Sequence, residues 1–254
     1  MGHLIGLKEL KNYLDDIVEK ADVYRKGGVR LPHMIVNLSP QNGQEMIAAY
    51  ITKVFYNNHL REFRGLDNLL MYRLDGSLEH MKRVFKDIAS NAVYTNEYEG
   101  VIAMDVTTLS DYVNERQMEF FIERIRTVSS HATMLFFYDD HRERKLAQVV
   151  KTIKSEIDNC IDLSVSPYSV EDYLGLVLQS LCKRGISVDT EREMEDSLCR
   201  VIEQRRVSNI REAEIIARDL VFHADFSEFV PRLDAGMVKA YYKQLMKERD
   251  HHEK

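Results

Sequence analysis

Four prolines and eleven glycines in 254 residues are too few for a linker-rich or disordered chain, and no internal repeat or low-complexity segment is visible. The three cysteines, Cys160, Cys182 and Cys199, are odd in number and have no metal-ligand spacing. A metal cluster is therefore not expected, and each thiol is expected to behave as a small buried hydrophobe. Long apolar runs are also missing. The stretch Thr133 to Tyr138 is far too short to cross a bilayer, and the N-terminus lacks the charged-then-apolar order of a signal peptide. No membrane partner is expected, and the cysteine usage suggests a reducing compartment, the cytoplasm. Nor is there an excess of positive charge. The net charge is −6 with 30% charged residues, so the surface is mixed and a nucleic-acid partner is not expected.

What the chain does have is 44% hydrophobic residues, enough for a substantial core, arranged in two regimes. Leu7, Leu10, Leu14, Ile17, Val18 and Ala21 recur at helical spacing, which predicts one amphipathic helix over 6–25, stopped by Lys26-Gly27-Gly28. His33 to Leu38 reads as a buried strand, Ser39 to Gly43 as a turn and Gln44 to Tyr56 as a helix. A strand over Leu69 to Leu74 ends at Asp75-Gly76. Ser77 then caps a helix with the inner face Leu78, Met81, Phe85, Ile88 and Ala92. Strands at Val101–Met104, Met134–Phe137 and Cys160–Val165 follow, separated by helices around Val113–Ile125 and Arg142–Ile153. Such alternation calls for a parallel sheet covered on both faces, placed at residues 4–165.

From Ser166 the pattern predicts helices only. Ser169-Val170-Glu171-Asp172 and Thr190-Glu191-Arg192-Glu193 both read as capping boxes ahead of periodic apolar helices. Two further helices, one bearing Ile210, Ala213, Ala217 and Leu220 and one over 235–249, complete a helical domain at 166–250.

Strand, turn and helix over 33–56 have the order of a P-loop, whose backbone N–H groups cradle phosphates. Gly6-Leu7-Lys8-Glu9-Leu10-Lys11 and His33-Met34 resemble the opening signatures of one AAA+ branch. That branch contains stage V sporulation protein K and the red-type rubisco activase. In this register Leu38 to Glu45 falls on the family's Gly-Asn-Pro-Gly-x-Gly-Lys-Thr loop, matching at Pro40 and Gly43. Gly100 to Val106 falls on the Walker B strand, Tyr138-Asp139 follows the strand that usually presents the sensor-1 polar residue, and Ser208-Asn209-Ile210-Arg211 opens a helix of the lid. The resemblance implies an α/β P-loop NTPase-like sheet sandwiched by helices, followed by a small helical lid. It also implies a nucleotide site at Pro40, Asn42, Gly43, Gln44, Glu45, Asp105 and Arg211.

The departures bear on the chemistry. Gln44 stands where the family's lysine meets the β/γ-phosphates, and Glu45 where a hydroxyl holds magnesium. Gln41 and Leu38 add β-carbons where the family uses glycine. Val106 replaces the glutamate that would orient water, while Asp105 reads as a strand-end carboxylate bonded to nearby backbone N–H groups. The segment Lys154 to Asp158 lacks an inter-subunit arginine, and Asp75-Gly76-Ser77 is too short for an aromatic pore loop. No catalytic residue and no metal ligand are therefore expected, and no cofactor, with ATP or ADP and magnesium left only as weak ligands. The expected function is that of a pseudo-ATPase working through protein partners, an active AAA+ protein or a second copy of itself. Two alternatives stand beside it. One is an atypical NTPase built on Asp105, Arg211 and Gly43; the other is a clamp-loader-like accessory subunit.

Overall fold

The computed structural model describes residues 5–26, 29–38, 42–60, 69–90, 100–109, 114–139, 144–189, 191–227 and 229–252, the side chains of 144–145 and 248–252 excepted. Contacts divide the chain into two units, Leu7–Ser166 and a second made of Met1–Gly6 with Pro167–Lys254.

The first unit is a five-stranded parallel sheet. Its strands are β1 (His33–Asn37), β2 (Leu69–Arg73), β3 (Val101–Asp105), β4 (Thr133–Tyr138) and β5 (Cys160–Ser164), in the order β2-β3-β4-β1-β5. Registers Met34↔Leu135, His33↔Cys160, Leu69↔Val101 and Val101↔Thr133 align all five in the same direction. The central strands are buried along nearly their whole length and the edge strands only partly, as expected of a sheet covered on both faces.

Successive residues of a strand point to opposite faces. On one face Ile35, Ile102, Met104, Met134, Phe136 and Tyr138 pack with α4 (Leu78–Ser90), α5 (Glu115–Ser129) and α6 (Arg144–Glu156) in a single apolar cluster. The alternate residues Met34, Val36, Ala103, Leu135 and Phe137 are equally buried. They point toward the side occupied by α1 (Lys8–Glu19) and α3 (Gln44–Asn57), which contact β5, β2 and β3.

The first strand carries an unusual joint. The ring of His33 is buried, and its Nδ1 accepts the N–H of Met134 at 3.0 Å. A nitrogen that accepts cannot carry a proton, so the imidazole is held as the Nε2–H tautomer.

Four details differ from the sequence-based expectations. The helix expected over 6–25 is two: α1 ends at Glu19 and α2 runs over Ala21–Lys26. At Lys20 the backbone reaches φ −93, ψ 14, and its N–H turns to Asp16 and Val18 O, closing α1 before α2 begins. The second unit is not purely helical. Ser187–Val188 (β6) and Arg232–Leu233 (β7) form a short parallel ribbon, too brief for periodicity to register. The capping box expected at Thr190 lies outside the described residues; the helix that follows has Glu191, not Thr190, as its N-cap, with no side-chain cap there. Finally, Cys182 is exposed, and Cys160 and Cys199 are only part-buried. Burial still pushes the Cys160 thiol up to about 11, away from the reactive thiolate. Val113 and Arg142 lie outside the described residues.

The second unit packs α7 (Val170–Lys183), α8 (Arg192–Gln204), α9 (Ile210–Val221) and α10 (Ala235–His252). The capping box expected at Ser169 and Asp172 is present. Gly6 enters this unit with φ +68, and a β-carbon there would lie 3.0 Å from the Tyr168 ring. Tyr241 is buried and joins three helices. Arg205 donates to its hydroxyl at 2.7 Å, and that hydroxyl donates to Asp219 at 3.2 Å.

Three helices end in the same way, with a left-handed residue whose N–H, and the next one, turn back to orphan carbonyls. They are α3 at His59 (φ 49), α7 at Gly185 (φ 76) and α8 at Arg206 (φ 51). In each case the following residue bonds back five positions: Leu60 to Phe55, Ile186 to Leu181 and Val207 to Ile202. Only α7 uses the glycine that this conformation favours.

His33→Ala should leave the Met134 N–H buried without its acceptor and cost about 1–3 kcal/mol in urea denaturation. Arg206→Gly should raise stability by roughly 0.5–1 kcal/mol in the same assay, because relief of left-handed strain exceeds the added freedom of the unfolded chain.

Candidate functional site

In a parallel sheet every strand delivers its carboxyl end to the same edge, where α/β proteins bind ligands. Here that edge gathers Leu38 after β1, Asp105 to Thr107 after β3 and Asp139 after β4. Adjacent ends are stitched together by backbone. Leu38 N–H donates to Tyr138 O at 2.7 Å, Val106 N–H to Phe137 O at 2.9 Å and Leu74 N–H to Asp105 O at 3.1 Å.

The loop from β1 rejoins the description at Asn42, with Ser39, Pro40 and Gln41 outside the described residues. Gly43 is the N-cap of α3, at φ 81 and ψ 36, a region open to glycine at no steric cost. No side chain among the described residues caps this helix start. Its first turn holds Gln44 and Glu45, so one neutral side chain and one exposed carboxylate stand beside the free N–H groups of the helix terminus. The positive end of the helix dipole favours the Glu45 charge.

Asn42 is 8% exposed, and its Oδ1 has no hydrogen-bond partner among the described residues. The same holds for Nε2 of Gln44. Buried amide atoms without partners usually mark a place for water or a ligand. These two flank the left-handed Gly43, one an acceptor and the other a donor.

At the end of β3, Asp105 is half-buried and its Oδ1 accepts the Thr107 N–H at 3.0 Å. Val106 is fully buried and offers no acid or base. The hydroxyl of Thr108 donates to Leu74 O, tying this turn to the end of β2. Between β2 and α4 lie only Leu74 to Ser77. Gly76 takes φ 78, the Ser77 N–H donates to Asp75 and Ser77 Oγ accepts the His80 N–H. The Ser77 N–H holds the Asp75 carboxyl below its usual range. The stability from this bond is present above the ordinary carboxylate pKa and is lost as pH falls through the lowered one.

Asn42, Gly43, Gln44, Glu45 and Asp105 thus belong to one edge of the first unit. Arg211 belongs to the second unit, exposed in the first turn of α9, whose N-cap Asn209 accepts the Glu212 N–H at 3.0 Å. Ser208 bonds Glu212 through both its N–H and its hydroxyl. Sequence reading does not single out Thr107. Its signal is the Asp-Val-Thr-Thr run leaving a buried strand, where short polar residues close a turn.

Solved structures share this fold. RuvB of Thermotoga maritima, described as a Holliday junction branch migration motor, matches with a TM-score of 0.59 at 16% identity, over 96% of this chain and 69% of its own. A point mutant of RuvB gives 0.60 at 15% identity, over 96% and 70%. PCH-2 of C. elegans gives 0.59 at 14% identity, over 97% and 71%. At these identities the likeness is one of fold. The sheet order and the C-terminal helical region are those of AAA+ domains. No protein-family model and no curated protein sequence matches the chain.

Asp105→Ala should cost about 1 kcal/mol of stability by removing the acceptor for the Thr107 N–H. Asp105→Asn keeps an acceptor oxygen there and should stay within about 0.5 kcal/mol of the parent in thermal denaturation.

Proposed function

We propose that the chain is a catalytically inactive AAA+-like domain that acts by protein–protein contact, as a scaffold, an adaptor or a regulatory subunit. Its partner is an active AAA+ protein or a second copy of itself, in the cytoplasm. The observation that carries this reading is the first turn of α3, where the free N–H groups meet Gln44 and the carboxylate of Glu45. A magnesium-bound triphosphate needs a cation on its β/γ-phosphates and a hydroxyl on its metal, and these side chains do not fit it. Two like charges about 4 Å apart near a protein surface repel by roughly 4 kcal/mol, so a carboxylate at the phosphate position outweighs several hydrogen bonds. Val106 supports the same reading, since a buried valine cannot take a proton from water.

The register of Gly6 to Lys11, His33-Met34 and the phosphate loop supports a kinship with the stage V sporulation protein K and rubisco activase branch. The junction-migrating activity in RuvB's description is not carried over, because the net charge of −6 opposes binding along a phosphate backbone.

A second reading is retained nucleotide binding without hydrolysis. It is favoured by the unpartnered Asn42 Oδ1 and Gln44 Nε2 beside a left-handed glycine.

Calorimetry with ATP and with ADP, each with magnesium, separates the two. The inactive-scaffold reading expects no heat up to millimolar nucleotide, and micromolar binding would favour the second. Gln44→Lys with Glu45→Thr should raise nucleotide affinity by about 100-fold or more if the backbone cradle is intact. ATP turnover by the parent chain, abolished by Asp105→Asn, would overturn the inactive reading.

A further inference from the structure

A groove between α5 and α6 of the first unit has a volume of about 710 Å³, within the range of binding clefts. Its floor is apolar: Ile122 and Val149 are buried and Met118 is half-buried. One wall is acidic. Glu115, Glu119 and Glu123 line it, and all three are exposed. They recur every four residues of α5, so they stand in one row, about 6 Å apart along the helix axis.

Such a row works against the isolated chain. Like charges four residues apart on a helix repel by about 0.2–0.5 kcal/mol per pair. Among the described residues none of the three carboxylates has an ion pair to offset this. Arg126, the cation among the described lining residues, reaches to Glu156 of α6, and Lys154 of α6 pairs with Asp162 of β5.

An apolar floor beside an acidic wall selects its occupant. A nucleic acid, an anionic bilayer or an acidic peptide would be repelled. A small cation would satisfy the wall and leave the floor wet, while a neutral apolar ligand would leave the carboxylates uncompensated. A helix with an apolar stripe and a basic edge satisfies both, because its own rows of residues repeat with the same 6 Å step, about one turn. The neighbouring groove, between α4 and α5, would reject that helix, since Lys82, Lys86 and Arg124 line it without a carboxylate.

We infer that the α5–α6 groove is the docking site for a basic amphipathic helix of a partner protein. Its apolar stripe lies on Met118, Ile122 and Val149, and its lysines or arginines run along Glu115, Glu119 and Glu123. The inference rests on the protein-contact reading, to which it adds a surface and the chemistry of the partner; the phosphate loop takes no part.

Fluorescence anisotropy of the full chain with a labelled synthetic peptide tests it. The probe has about 18 residues, long enough to span the carboxylate row, with leucines at i, i+3, i+4 and i+7 and lysines on the remaining face. The parent should bind it with micromolar affinity, more weakly as salt rises. Glu119→Lys with Glu123→Lys should weaken binding by about tenfold or more with an unchanged melting temperature. Glu119→Gln with Glu123→Gln is the milder variant and should act in the same direction, as should Met118→Ser, which leaves the charge alone. Glu195→Lys with Glu203→Lys makes the same change of net charge on α8 and should leave the affinity within about twofold. A peptide of the same composition with its leucines scattered around the helix should bind about tenfold more weakly or worse.

No binding of the probe up to millimolar concentration overturns the inference. Equal binding of the scattered peptide reduces the site to net charge and also overturns it. So does an affinity that survives the Glu119 and Glu123 changes, or that the Glu195 and Glu203 changes weaken as much. Self-association of the parent that the Glu119 and Glu123 changes abolish would give the groove to a second copy instead. None of these outcomes depends on nucleotide, so the calorimetry and the peptide titration fail separately.

Discussion

A parallel strand cannot reach its neighbour by a tight turn; the chain must cross over the sheet and return, and each crossover lays material on a face. That constraint governs the first unit. It accounts for strands such as Thr133–Tyr138 that are buried at every position, and for helices on both sides. It also fixes where a ligand could be met. With β1 between β4 and β5, and β4 between β1 and β3, the ends at Leu38, Asp105 and Asp139 arrive at one edge whatever chemistry they carry. The edge is a product of topology and persists when its side chains change.

This separation explains what could be read from the sequence. The strands and their order of alternation with helices were legible because buried parallel strands leave short apolar runs bounded by turns, and Val101–Asp105 is such a run. Helix starts were legible where a side chain closes the first turn, as at Ser169, and where a turn ends just ahead of the helix, as at Gly43 before Gln44. The break at Lys20 left no trace because every residue around it suits a helix. The ribbon at Ser187–Val188 was hidden by its two-residue length. For the candidate site, Gln44, Glu45, Asp105 and Val106 were legible only through register. The pairing of His33 with Met134, and the orphan amide atoms of Asn42 and Gln44, depend on three-dimensional surroundings that no local pattern encodes.

The two units hold together by different means. The first relies on area, with Ile35, Phe121, Phe136 and Phe137 removed from water. The second adds directional bonds at its helix junctions. Tyr241 is its clearest case, a phenol raised in pKa by burial, facing Arg205 and Asp219 at once. Its contribution is intact below the ordinary tyrosine pKa and is lost as pH rises through the raised one.

The small ribbon has a consequence for how the second unit opens. Ser187 N–H bonds Pro231 O at 2.8 Å and Asp189 N–H bonds Leu233 O at 3.3 Å, so the segment after α7 is clasped to the segment before α10. Everything between, including α8 and α9, is a loop closed at that clasp. Both helices also pack on the flanking ones, α8 on α7 and α10, and α9 on α7. The unit therefore behaves as one cooperative element, and the amides of Ser187 and Asp189 exchange with solvent at the rate of its global opening rather than at the rate of a fraying end.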